Sequence, residues 1–396
     1  MSFIPVSRRH CLTLGVLCGA MIVFFCLSAP THHRVYALDH HSAADGGKGD
    51  RDSKRGKRKQ RHADMSELPP DESAEKRELD SLGDGFRLRR TNHYSILYNT
   101  SEKDVKVFSS AIEKTYRSCV NYTQRLGFDA QVPSHKLLIY YFDEHPEYSG
   151  YSEKLGNGPR EQSTPGVYFP LLNRSMFYNF QNQETFKRAR EEAEARIDDL
   201  RAQLRRPGVS RDQRRDIGRQ IAEARKQATR SATVGSDVSE SIVQHEVAHQ
   251  VLWNIGFHNP KNFVANPRWF VEGTAMMFEP ISTGSSANFG AVNTTRLDEY
   301  KRLLAEQRLI PVKDFISTAD HFATKIDVAY PQSWALIHYL NRTKRSRIRK
   351  YVELINKRPA DYSPSPQQEL ADFEKVFGRL DENWVESWLK WMARVR

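Results

Sequence analysis

Cysteine is scarce in this chain and poorly placed for structural use. Cys11, Cys18 and Cys26 lie near the start, and only Cys119 lies beyond them. If the first stretch is removed, no intrachain disulfide can form and no cysteine set can hold zinc. Cys119 falls in an apolar-periodic stretch and reads as core, not as a nucleophile. Acidic residues are also in deficit, 49 against 60 basic ones, giving a net charge of +11. Such a charge suits anionic polymers or lipids. No motif interleaves aromatic with basic residues, so no nucleic-acid partner is expected. The excess reads as a solvated surface plus a basic tail.

Part of that charge lies near the start of the chain. Arg8 and Arg9 precede a nearly continuous apolar run, Cys11 to Ser28, and small residues follow at Ala29 and Ala37. Residues 1–37 therefore read as a signal peptide, with an uncleaved membrane anchor as the alternative. The protein is expected to be exported, and to meet a membrane only through that segment. Residues 38–81 are basic and then acidic, with Pro69-Pro70 and few apolar positions. A disordered linker is expected there.

One short motif carries chemistry: His245-Glu246-Val247-Ala248-His249. On a helix, positions i and i+4 share one face, so both imidazoles reach one metal ion. Glu246 is rotated by roughly 100° and can act as general base toward a water. Catalytic zinc usually takes a third protein ligand. Leu252 and Ile255 stand where the metzincin pattern needs Gly and His, which excludes that branch. Glu272, within Trp269-Phe270-Val271-Glu272-Gly273-Thr274-Ala275, is the better candidate.

Together these two segments resemble the gluzincin (peptidase MA-like) metallopeptidases, which include thermolysin and the aminopeptidase N type. The resemblance rests on Trp269, Phe270, Glu272, Gly273, Ala275 and Glu279 after the His-Glu-x-x-His pair, and spans Val243 to Leu340. It implies Zn²⁺ held by His245, His249 and Glu272, with Glu246 as catalytic base. It implies Tyr330, at the start of an apolar helix, as an oxyanion donor; the alternative is an aromatic packed at a helix start. Pro331 departs from the family pattern and reads as a first helical residue. Glu279 is either a support for the ligands or a solvated carboxylate. A peptide or protein substrate is implied, whereas the amine-binding G-x-M-E-N motif is absent, so aminopeptidase specificity does not carry over. An inactive zinc-binding module is the alternative function.

The expected fold is α+β, a thermolysin-like two-lobed domain over residues 82–396. Alternating or buried runs predict strands at His93–Tyr98, Lys136–Phe142, Gly166–Pro170 and Ser175–Phe180, and 3.6-residue periodicity predicts a helix over Ser101–Leu126. In the gluzincins an edge strand holds extended substrate; here Ser175–Phe180 is assigned that part. Residues 184–230 read as an inserted helical hairpin of coiled-coil type, with a Ser210-x-x-Gln213 capping box. Beyond Phe278 the chain reads as mainly helical. Trp384, Trp388 and Trp391 are spaced to pack the last helix onto the domain.

Overall fold

Two runs apolar at nearly every position, Tyr94–Tyr98 and Leu137–Phe142, become the buried centre of a five-stranded sheet. The computed structural model describes residues 66–281 and 289–396. The expected leader, and the linker up to residue 65, lie outside them. Helix α1 (Glu72–Leu82), strands β1 (Arg87–Arg90) and β2 (Tyr94–Tyr98), helix α2 (Glu102–Arg125), strand β3 (Leu137–Phe142), helix α3 (His145–Lys154) and strands β4 (Gly166–Phe169) and β5 (Arg174–Tyr178) build the first region. The sheet order is β1-β2-β3-β5-β4. Strands β2, β3 and β5 run parallel, and the outer strands are antiparallel.

Alternation along the strands divides the two faces. Tyr94, Ile96, Tyr98, Ile139, Tyr141 and Phe177 join the main core with α2, while Leu97, Leu138, Tyr140, Phe142, Met176 and Tyr178 face α1 and α3. A sheet covered on both sides accounts for the unbroken apolar runs.

Three sequence expectations change here, and a fourth with the helical hairpin below. First, β5 is an inner strand, and the edges belong to β1 and β4. A predicted hairpin does not say which of its strands pairs onward. Second, residues 66–81 are part of the fold rather than linker. Asp71 caps α1 by accepting the Ala74 N–H at 2.9 Å, and Leu68 and Ala74 are buried. Glu75, also buried, is held by Arg90 and Ser95. Few apolar residues suffice because α1 covers a sheet face instead of forming its own core. Third, Pro331 lies inside a helix rather than at its first position.

The second region is helical: α4 (Glu184–Leu204), α5 (Arg211–Asn254), α6 (Arg268–Met276), α7 (Thr294–Ala305), α8 (Val312–Ser317), α9 (His321–Thr324), α10 (Ile326–Thr343), α11 (Arg345–Ile355), α12 (Pro366–Phe377) and α13 (Glu382–Met392). Together the regions form a coarse two-lobed arrangement, mixed sheet and helices followed by helices. Helices α4 and α5 form the expected hairpin, with Ser210 and Gln213 making the capping box. Its second arm does not stop near residue 230. It continues for 44 residues into the histidine motif, about 66 Å at 1.5 Å per residue. Gly235 does not break it; a Cβ there would lie 3.3 Å from Phe186 and 3.4 Å from Gln181. Trp384 and Trp388 are buried in the main core, with Trp391 packed against it.

Gly273 marks a close contact between helices α6 and α10. A Cβ there would sit 2.5 Å from Ile337 Cγ1 and 2.7 Å from the Ser333 carbonyl oxygen, on α10. The carbonyl cannot rotate away. Gly273→Ala is therefore expected to cost about 1–3 kcal/mol and to lower the melting midpoint by roughly 2–4 °C per kcal/mol. Calorimetry checks this; an unchanged midpoint would show that α6 and α10 are not packed this closely.

Candidate metal centre

Helix α5 is buried over its last turns because Val243, Val247, Val251 and Leu252 face the main core. That burial carries His245, Glu246 and His249 inward with it. Helix α6 crosses nearby and adds Glu272. The resulting group, His245, His249 and Glu272, has one ligand atom from each residue, all within 4.8 Å of one another. His245 Nε2 lies 3.0 Å from His249 Nε2. Glu272 Oε2 lies 3.3 Å from the first and 3.4 Å from the second.

Those separations suit a tetrahedral zinc ion. Ligand bonds of about 2.0–2.1 Å imply ligand–ligand distances of about 3.3 Å. The donor set, two imidazoles and a carboxylate, matches the usual chemistry of a zinc site with one open position. Glu272 Oε2 is buried without a hydrogen-bond partner, as an oxygen reserved for a cation would be.

The flanking groups fix each ligand. His245 Nδ1 is 3.0 Å from Glu279 Oε1. Glu279 is itself buried and is met by Arg296 through Nε at 3.1 Å and Nη2 at 3.1 Å, and by Asn293 Nδ2 at 2.7 Å. Burial opposes ionisation of Glu279, but Arg296 and His245 outweigh it and hold the carboxyl down to about 2. Glu279 thus supports a ligand rather than facing solvent, and keeps His245 Nε2 aimed at the centre. Burial likewise opposes the charged form of His245, yet Glu272 and Glu279 raise it to about 10. A cation entering the site therefore displaces a proton. Glu272 stays well below the usual carboxylate range, because His249, His245 and Arg268 overcome its burial.

Glu246 points to the other side. Its Oε2 accepts the Tyr168 N–H of strand β4 at 2.9 Å, and its Oε1 is buried with no partner. Burial raises its affinity for a proton, against the pull of His245 and His249. Tyr330 is brought to the same cluster, its ring centroid 6.5 Å from that of His245. Arg268 hydrogen-bonds its hydroxyl, and burial raises the phenol well above its ordinary range, so it remains neutral. His258, one loop beyond α5, is 2 % exposed, with neither ring nitrogen partnered. Burial first, then the charge on His249, pulls it to about 3.

His245, Glu246, His249, Glu272, Glu279 and Tyr330, all named from the sequence, thus lie close together. Arg268, Asn293, Arg296, Tyr168 and His258 were not anticipated. Arg268 had a signal, its i, i+4 spacing from Glu272. Asn293 and Arg296 had none that reached Glu279, because the chain leaves α6 and returns as α7 before they approach it.

Residues 239–361 match a family described as a protein of unknown function, DUF1570. The matched span carries every ligand and Tyr330 but none of the sheet. No curated protein and no solved structure matches the chain.

Replacing Glu279 with Gln removes the charge that holds His245 in place. Zinc affinity is expected to fall roughly 10- to 100-fold while stoichiometry at saturating zinc is kept. Competition against a chromophoric chelator measures both; unchanged affinity would refute the supporting role of Glu279.

Proposed function

We propose that this protein is an exported, zinc-dependent peptidase. One observation carries the reading: three donor atoms of His245, His249 and Glu272 converge beside a carboxylate, Glu246, whose Oε1 has no protein partner. Zinc held by His245, His249 and Glu272 would supply Lewis acidity toward a scissile carbonyl and water. Glu246 Oε1 takes the proton of the attacking water and returns it to the leaving amine. Burial strengthens its hold on a proton, which suits that exchange. The Tyr330 hydroxyl, neutral and steadied by Arg268, donates to the developing oxyanion. Export rests on Arg8, Arg9 and the apolar run from Cys11 to Ser28.

A second reading, a zinc-binding module without turnover, is favoured by the closure of the centre. Glu246 is 0 % exposed, and the Tyr168 N–H of β4 occupies its Oε2. Catalysis therefore requires β4 to draw away from α5 before a peptide enters. The module needs no such movement.

Glu246→Gln separates these readings. On the peptidase reading, the variant keeps one zinc per chain and loses cleavage of a mixed peptide library by at least about 10²-fold. Zinc analysis and mass spectrometry of the digested library supply the two measurements. A zinc-loaded wild type that cleaves nothing in the library would favour the module. Tyr330→Phe is expected to lower kcat by about 10²- to 10³-fold with little change in KM; a change confined to KM would remove it from the oxyanion role.

A further inference from the structure

The helical hairpin, residues 184–230, adds nothing to the metal centre, yet its charge is unevenly placed. Over Glu184–Leu204 five basic residues stand against six acidic ones, and over 216–230 four stand against two. The eleven residues between, 205–215, carry five arginines, no lysine and one acid, Asp212. The arms are thus close to neutral, while the tip, five positive charges less one negative, holds +4.

The fold holds that charge in solvent. Ile197, Leu200, Ile221 and Ala224 pack between the arms as a small core of their own, apart from the two larger ones. All five tip arginines, Arg205, Arg206, Arg211, Arg214 and Arg215, are exposed. Arg214 ties the turn, donating from Nε to the Val209 carbonyl at 3.3 Å and from Nη1 to the Leu204 carbonyl at 3.4 Å. One turn down the arms, Arg201 and Arg219 pair with Asp198 and Asp216. Among the described residues no carboxylate pairs with Arg205, Arg206, Arg211 or Arg215. Like charges fixed together repel one another, and an anionic partner relieves that repulsion.

The residue type narrows the partner. A guanidinium offers two parallel donors to one phosphate group, which an ammonium does not. The tip presents these donors at one end of a narrow rod. Such an end suits a plane of phosphates; a polymer strand is better followed by a groove or a stripe of charge. No aromatic residue lies within 205–215 to stack on a base. No large apolar residue is exposed there to enter hydrocarbon. What remains is electrostatic contact with lipid headgroups, as basic clusters make at membrane surfaces. The same chain carries a basic run, Lys54 to Arg61, and an apolar run, Cys11 to Ser28, that suit such a surface.

We propose that the hairpin tip docks on an anionic phospholipid surface, with Arg205, Arg206, Arg211 and Arg215 as its phosphate contacts. The sequence leads to a membrane contact only through residues 1–37; the tip is a second one, on the folded domain. Helix α5 runs unbroken from Arg211 past His245. A chain standing on its tip therefore holds the metal centre up to about 51 Å from the headgroups, at 1.5 Å per residue. Docking of this kind does not depend on turnover at that centre.

The test uses the full chain and sedimentation with vesicles of phosphatidylcholine, alone or mixed with phosphatidylglycerol. Wild type is expected to bind the mixed vesicles more tightly, by a margin that added salt reduces. Arg205→Gln, Arg206→Gln, Arg211→Gln and Arg215→Gln together are expected to lower that margin by roughly 5-fold per arginine. Arg188→Gln, Arg196→Gln, Arg225→Gln and Lys226→Gln together remove the same charge from exposed positions on the arms and are expected to leave the margin nearly unchanged. Equal losses in the two variants would overturn the tip as the site, leaving only net charge. Circular dichroism verifies folding. Amide hydrogen exchange on wild type needs no variant, and decides also where the start of the chain brings every form onto vesicles. Slowed exchange over 205–215 on mixed but not on neutral vesicles supports docking; unchanged exchange overturns it. Tighter binding of wild type to duplex DNA or to a sulfated polysaccharide than to mixed vesicles overturns lipid as the partner.

Discussion

His245 lies between two buried carboxylates, and the rest of the centre follows from that. Glu279 holds one ring nitrogen at 3.0 Å while Glu272 lies 3.3 Å from the other. Buried charges are costly unless they are paired. Each carboxylate is accordingly attended by a guanidinium, Arg296 for Glu279 and Arg268 for Glu272. Removing one partner from such a cluster leaves an uncompensated charge, a loss of about 3–5 kcal/mol. The pairing therefore constrains where α6 and α7 can sit against α5. It also sets the ligand geometry, since a ring fixed at Nδ1 has one direction left for Nε2.

The same centre ties the sheet to the helices. Strand β4 reaches Glu246 through the Tyr168 N–H, and Gly166 lies so close that an added Cβ would meet Glu246 Cγ at 3.3 Å. Glu246 is thus a point where the outer strand touches α5. Helix α5 adds a mechanical link of another kind. Its single run carries the hairpin's second arm and both histidines on one helix.

Much of this was legible beforehand because it depends on local spacing. The i, i+4 histidines, the capping box at Ser210, the apolar stripe of α2 and the strands around Tyr94–Tyr98 and Leu137–Phe142 all follow from periods set by backbone geometry. Glu272 was legible only because its flanking residues resemble those of a known type of metallopeptidase. The errors have a common cause. The identity of the edge strand, the membership of α1 in the fold and the unbroken course of α5 all depend on what packs against a segment. Gly235 is where α5 passes Phe186 closely, a contact that local spacing does not show.

Local sequence was enough to name the residues of the candidate centre: two imidazoles one turn apart, a carboxylate one residue into that turn, and a glutamate on the next helix. Those assignments are local, and a helix of any surroundings would present the first three alike. It took the folded arrangement to show that Glu279 supports His245, that Arg296 and Asn293 come back to hold it, and that β4 closes over Glu246. Each of these joins atoms from separate elements, where burial and charge pairing, rather than helical spacing, bring the partners together.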